Sequence, residues 1–277
     1  MVKTIIPGAI GHGMPMRDAA EGAARAGFQG IWLGSADLLR PAEESEAALR
    51  SAEIRAMGFD LPVRFRGAPD EFREDLSNLP GIADRAAALG ANRCATWIAP
   101  ASDQLAYREN FAFHAERLSA ICDVLDARGI LFGIEFVGTP KARRGARYEF
   151  VHRLDQALEL CAAVGEARCG LLMDLWHWDL AGQTEADFAQ LSADRIALVH
   201  LNDAPAGTDF TECGDSPREL PGATGVLRAE AFMRGLRSLG YGGPVAAEPF
   251  DRSLGELSYE RALAAVSESL DRLLSMA

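Results

Sequence analysis

Cys169-Gly170-Leu171-Leu172-Met173-Asp174-Leu175-Trp176-His177-Trp178 is the stretch whose reading decides the fold. Its first five residues form an apolar run of strand length, which stops at a carboxylate with an imidazole three residues further on. A short continuous apolar run reads as a strand buried on both faces. Such a strand rarely ends in Asp, Trp and His without a chemical reason, because charged side chains are seldom buried unpaired. Three other apolar runs stop in the same way. Gly133-Ile134-Glu135-Phe136 stops at Glu135, Ile196-Ala197-Leu198-Val199-His200 at His200, and Pro244-Val245-Ala246-Ala247-Glu248 at Glu248.

Outward from these four, the chain alternates regularly. Strands are predicted over 2–6, 30–34, 58–65, 93–98, 130–135, 169–174, 196–201 and 244–248. Helices are predicted over 18–26, 42–57 with Pro41 at the start, 70–89 with a break at Pro80-Gly81, 105–128, 154–164, 185–191, 227–239 and 257–274. Gly27, Gly90, Gly129 and Gly165 stand where helices stop. Strands alternating with helices imply a parallel α/β sheet. Eight units in 277 residues favour a closed (β/α)8 TIM barrel, one domain over residues 1–277. The alternative is an open doubly wound sheet, but the Gly-rich loop 8–14 lacks the dinucleotide fingerprint and a phosphate-loop Lys. That loop carries His12, a candidate pocket residue. In a barrel the C-terminal strand ends share one face, so Glu135, Asp174, His200 and Glu248 converge there.

Composition narrows the partners. A net charge of −12 and a pI near 4.9 repel phosphate backbones and anionic membranes, so neither nucleic acid nor a membrane is expected. A small molecule is the expected partner, and a homo-oligomer is compatible with the composition. Lys141, Arg143, Arg144 and Arg147 form a basic run, read either as a solvated loop or as a lid or anion contact. The five Cys show no CxxC spacing and suit a reduced, cytoplasmic protein. The chain start lacks the apolar core of a signal peptide, and no run approaches membrane-span length.

Three carboxylates and one imidazole, without thiolate, suit one divalent metal ion: Mn2+, Mg2+ or Co2+, with Zn2+ also able to use such a set. Burying three negative charges without a cation is costly. The bland alternative is four separate barrel-mouth groups paired with Arg. His177 reads as a further ligand, a substrate contact or a packing residue, with Trp176 and Trp178 as a hydrophobic wall. Trp97, at the end of the fourth strand, reads as a stacking surface for a sugar or as core. Asp203 either orients a ligand or caps a turn. Arg218, in the loop after the seventh strand, is a candidate substrate contact, with a surface position favoured.

At these residues the chain resembles the xylose-isomerase-like TIM-barrel superfamily, which includes sugar epimerases, inosose isomerases and dehydratases, and endonuclease IV. The matching pieces are Gly133-Ile134-Glu135, Met173-Asp174-Leu175-Trp176-His177, Val199-His200-Leu201-Asn202-Asp203, Leu220-Pro221-Gly222-Ala223-Thr224-Gly225-Val226, and Gly240-Tyr241-Gly242-Gly243-Pro244 leading to Glu248-Pro249. They lie in the C-terminal half; the N-terminal half matches in strand-helix rhythm. The resemblance implies one divalent metal on Glu135, Asp174, His200 and Glu248. It also implies proton transfer by Glu135 and Glu248 through a metal-stabilised enediolate, with His177 on a substrate oxygen. Departures are Ile31-Trp32-Leu33, where relatives often carry an acid, Ala223-Thr224 in place of an acidic step, and Lys141 where some epimerases have a pocket acid.

The leading expectation is therefore an isomerase or epimerase of a sugar, keto-sugar or cyclitol. The alternative is a lyase on the same site, eliminating water next to a ketone, with Lys141 or His177 as the acid. An apurinic-site endonuclease would need more metal ligands than five His supply. A non-enzymatic ligand-binding barrel is the remaining reading.

Overall fold

A computed structural model describes residues 1–39, 42–165 and 167–276. Eight strands close into a barrel: β1 (Val2–Ile5), β2 (Gly30–Leu33), β3 (Arg55–Asp60), β4 (Arg93–Ile98), β5 (Leu131–Phe136), β6 (Cys169–Asp174), β7 (Ile196–Leu201) and β8 (Pro244–Ala247). Each pairs in parallel with its sequence neighbours, and β1 closes onto β8 with Val2 opposite Pro244. The helices are α1 (Met16–Arg25), α2 (Ala42–Ala52), α3 (Pro69–Ala88), α4 (Tyr107–Asp126), α5 (Leu154–Gly165), α6 (Leu175–Leu180), α7 (Ala229–Ser238) and α8 (Tyr259–Ser275). The expected (β/α)8 barrel is what the chain forms.

Side chains alternate across a strand, so one set fills the barrel and the other packs under the helices. Trp32, Met57, Ala95, Leu172, Leu198 and Ala246 make a separate cluster inside the barrel. Cys94, Phe132, Ile134, Leu171, Met173, Val199 and Val245 belong to the larger core beneath the helices. This two-sided burial explains why every residue of β6 and β7 is buried. Two positions beyond Ala95, Leu172, Leu198 and Ala246 come Trp97, Asp174, His200 and Glu248. Glu135 and Asp60 likewise stand two beyond Gly133 and Gly58. Gly133 leaves no space for a side chain, since a Cβ there would lie 2.7 Å from Ala197 Cβ. The interior cluster is thus the floor on which the strand-end groups stand. At the other end of the barrel, Lys3 Nζ donates to Asp271 Oδ1 (2.7 Å) and Ser267 Oγ (2.9 Å), tying β1 to the closing helix α8.

Several sequence boundaries shift. Helix α2 ends at Ala52, because Glu53 turns left-handed (φ +56°) and Ile54 N donates to Leu49 O. The third strand therefore starts at Arg55 rather than 58 and is over before Pro62. Pro41, read as the start of that helix, lies outside the described residues. Pro80 does not break α3; it sits half-exposed in a continuous helix. Residues 185–191, read as a helix, form only a 3-10 stretch, Glu185–Gln190. Helix α6 was not expected: residues 175–180 read as loop. A short antiparallel ribbon, Ala101–Ser102 with Tyr148–Glu149, was also not expected.

Candidate metal centre

Glu135, Asp174, His200 and Glu248 each offer one ligand atom, and the four atoms lie within 4.8 Å of one another. Register explains the convergence. Asp174 is paired with His200 across β6 and β7, and Ala246 with His200 across β7 and β8. Glu248 follows the last residue of β8, kept extended by its N–H to Leu201 O at 3.0 Å. His200 Nδ1 faces Glu248 Oε2 at 3.4 Å, Asp174 Oδ2 at 3.6 Å and Glu135 Oε1 at 3.8 Å. Among the described residues, neither ring nitrogen of His200 nor Glu135 Oε1 has a hydrogen-bond partner, although all are buried. Buried polar atoms are nearly always satisfied. Two ligands each about 2.1 Å from one cation can stand up to about 4.2 Å apart, so a small contraction of this set accommodates one ion. The donor set, oxygen-rich with one imidazole, fits a divalent metal.

Charge in the cluster is compensated by Arg218. The sequence reading favours a surface position; the structure buries its side chain completely. Nη1 donates to Asp174 Oδ2 (3.0 Å) and Glu248 Oε2 (2.8 Å), and Nη2 to Asp215 Oδ1 (2.6 Å). An isolated bridge between Asp203 and Glu219 folds the long loop inward and delivers this guanidinium. Desolvation raises the Asp174 carboxyl, but Arg218 and then His200 outweigh it and hold the group well below the usual range. Burial, then the charges of Asp174 and Glu248, push Glu135 well above its usual range. Burial opposes charge on His200, yet Glu248 and Asp174 raise it well above an ordinary imidazole. Desolvation keeps His177 neutral against the pull of Asp174.

His177 lies on α6, which Asp174 caps by accepting from Trp176 N (2.6 Å) and His177 N (3.3 Å). Such a cap contributes about 1 kcal/mol and fixes where the imidazole starts. His177 Nε2 faces Arg218 Nη2 at 3.3 Å, and Nδ1 faces Thr139 Oγ1 at 3.5 Å. Trp176 and Trp178 are both buried; Trp178 packs on Phe188 and Phe232.

The sequence profile of the family described as a xylose isomerase-like TIM barrel matches residues 20–276. The chain belongs to this family. An inosose isomerase from Bacillus velezensis is 23% identical over 230 residues, 82% of this chain and 78% of that protein. A xylose isomerase domain protein from Alicyclobacillus acidocaldarius superposes with TM-score 0.87 at 27% identity, covering 99% of this chain and 98% of that one. A structure described as IolI with a zinc atom bound superposes with TM-score 0.84 at 18% identity, covering 99% and 98%. This last likeness is one of fold.

Within the family barrel the remaining sequence candidates separate. Trp97 is 47% exposed, so it is not core; it pairs with Glu135 across β4 and β5 and turns into the mouth, with the Arg66 guanidinium 3.9 Å above its ring. Lys141 is exposed on the turn Pro140–Ala142 and, among the described residues, makes no hydrogen bond or ion pair with the cluster. Its neighbour Arg144 instead pairs with Glu212 at 2.5 Å, clasping the long loop. Asp203 ties that loop together, accepting from Ala204, Thr224, Gly225 and Leu227 N–H groups; it is a loop cap. His12 lines a cavity beside α1.

Three residues at the site have no role assigned by the sequence motifs. Asn202 donates to both oxygens of Asp174, at 3.2 and 3.3 Å. Its position two after His200, just past the end of β7, is the available signal. Phe250, left-handed at φ +45°, lays its ring 4.6 Å from the Arg218 guanidinium. Asp60, at the end of β3, was hidden by the misplaced strand.

Proposed function

We propose that this protein is a divalent-metal-dependent isomerase or epimerase of a sugar, keto-sugar or cyclitol, with Glu135, Asp174, His200 and Glu248 as metal ligands. The observation that carries the reading is the placement of two carboxylates, Glu135 on β5 and Glu248 just past the end of β8, either side of Asp174 and His200. The inosose isomerase relative supports the substrate class.

A bound dication would supply Lewis acidity to adjacent carbonyl and hydroxyl oxygens and lower the cost of negative charge at the carbonyl oxygen. The protein's own part is proton transfer. Glu135 and Glu248 face the same space from opposite sides of the cluster, so one removes the proton next to the carbonyl and the other returns it. Neutral His177 and cationic Arg218, side by side, orient and polarise a substrate oxygen. Trp97 forms the outer wall of the mouth and excludes water from one face of the substrate.

The test is metal content, followed by isotope exchange. Purified wild type should hold about one equivalent of divalent ion, with weaker retention in Glu248→Gln and His200→Ala. In heavy water the wild type should exchange deuterium into at least one keto-sugar or inosose. Glu135→Gln and Glu248→Gln should each lose about 10³-fold or more, the scale of one acid-base group, with weakened metal retention adding to the loss. Absence of metal after supplementation would end this reading. Release of water with an ultraviolet-absorbing enone would replace it with the lyase.

A further inference from the structure

On the β1–β3 side of the mouth lies a cavity of about 460 Å³, within the size range of small-molecule sites. Its apolar walls include Ile6, Met14 and Trp32, and its polar groups are His12, Asp37 and Asp60. No Lys or Arg lines it among the described residues.

Asp60 is a built feature of this cavity. Strand alternation turns it inward above Gly58, and Gly58 is where the Trp32 ring fits: a Cβ there would stand 2.3 Å from the indole. Trp32 is 1% exposed and donates from Nε1 to Asp60 Oδ1 at 2.8 Å. The carboxylate is therefore held from below by a side chain packed into the barrel floor, while Asp60 itself reaches solvent. It makes no ion pair among the described residues, in contrast to Asp174. Burial raises its carboxyl above the usual range against the lowering effect of the Trp32 hydrogen bond, and Asp60 stands at the same end of the barrel as the cluster, at the end of β3.

We propose that this cavity takes the non-reacting part of an uncharged polyhydroxylated substrate, and that the second oxygen of Asp60 accepts a hydrogen bond from one of its hydroxyls. The proposal rests on the isomerase reading of the cluster and deepens it. A hydroxyl donor satisfies a fixed oxygen that accepts no hydrogen bond among the described residues, and a site built around such a bond strongly rejects the analogue that lacks it. A phosphate monoester would bring its charge against Asp60, and among the described residues no Lys or Arg lines the cavity to offset it. An ammonium group is the competing partner for this carboxylate.

Equilibrium binding by calorimetry tests this on the metal-loaded full chain, in wild type, Asp60→Asn and Asp60→Ala. The probes are D-fructose, myo-inositol, their phosphate monoesters, and D-glucosamine. Metal content and melting temperature are recorded for each variant. At least one neutral probe should bind wild type, about 10-fold or more weaker to Asp60→Ala and by an intermediate factor to Asp60→Asn, with metal content unchanged. The phosphate esters should bind less well than their parents. If Asp60→Ala does not fold, Asp60→Asn, which keeps the Trp32 bond and the shape, decides alone. Equal binding by wild type and variants, no neutral probe bound, or preference for a phosphate ester or the amine would overturn the subsite. Failure of the isomerase reading looks different: no deuterium exchange in any neutral substrate, with Asp60-dependent binding intact.

Discussion

At the ends of β5 to β8 the inward side chains are Glu135, Asp174, His200 and Glu248; at the ends of β2 to β4 they are Trp32, Asp60 and Trp97. Both sets obey the same alternation, two positions above or within the same floor. They differ in charge density. Four ionisable groups within 4.8 Å cannot be left to solvent once buried, and the chain brings a guanidinium from the loop after β7 to stand among them. At its strand ends the β2–β4 side has one carboxylate, Asp60, held by an indole N–H, and stays open. One half of the mouth is organised around charge compensation, the other around shape and hydrogen bonding.

The largest effect should come from removing the compensation. Arg218→Ala leaves Asp174 and Glu248 buried without their cation, a change that costs about 3–5 kcal/mol when one partner of a buried pair is deleted. The loss should be full in chelator-treated protein and mostly recovered on adding Mn2+ or Zn2+, because a dication takes over the same carboxylates. Melting curves with and without metal read this directly. An equal loss in both conditions would mean that Arg218 acts through packing against Trp176 and Phe250 rather than through charge.

How much of this was visible in the chain follows the same division. The charged half was legible because each of its residues terminates an apolar run, so periodicity and chemistry point to one position. Arg218 was not, because its burial depends on a loop folded back by the Asp203–Glu219 bridge, a long-range contact with no local periodicity. Asp60 was lost with the boundary of β3: the turn before it is made by Glu53 at positive φ, where a Gly would have announced the stop. Asp174 capping α6 was present in the sequence as Asp before Leu-Trp-His, but a carboxylate already assigned to a metal concealed its second use.

The open half should weaken first in acid. His114 on α4 packs against Phe65 and Phe150, and its neighbour Arg117 donates to Phe65 O and Gly67 O, so both hold the loop that follows β3. Desolvation lowers the His114 pKa to about 4. Between about pH 6.5 and pH 4 the unfolded chain binds a proton that the folded one does not, so stability falls as pH falls through that window. The full effect is about 3 kcal/mol. Urea midpoints for His114→Leu should decline less between pH 7 and pH 4.5 than those of wild type; His152, also depressed by burial, remains in both and cancels. Parallel declines would place the acid weakness elsewhere.

The smallest change in mass, one methyl group, tests whether the two halves are separable. Gly58 and Gly133 occupy equivalent floor positions, one below Asp60 and the other below Glu135. A Cβ at Gly58 would lie 2.3 Å from the Trp32 ring and 2.7 Å from Arg93 O, so the indole must move, and overpacking of this kind costs about 1–3 kcal/mol. The displaced indole takes with it the donor that fixes Asp60. Gly58→Ala should therefore weaken binding of neutral polyols several-fold while metal content stays near wild type. Gly133→Ala, pressed against Ala197 Cβ at 2.7 Å and the Leu171 carbonyl at 3.2 Å, should do the reverse, since the strand must shift directly beneath Glu135. Measured side by side, the two variants should part, one in ligand affinity and the other in metal retention. If both lose metal equally, the floor transmits strain across the whole barrel, and the mouth is one unit rather than two.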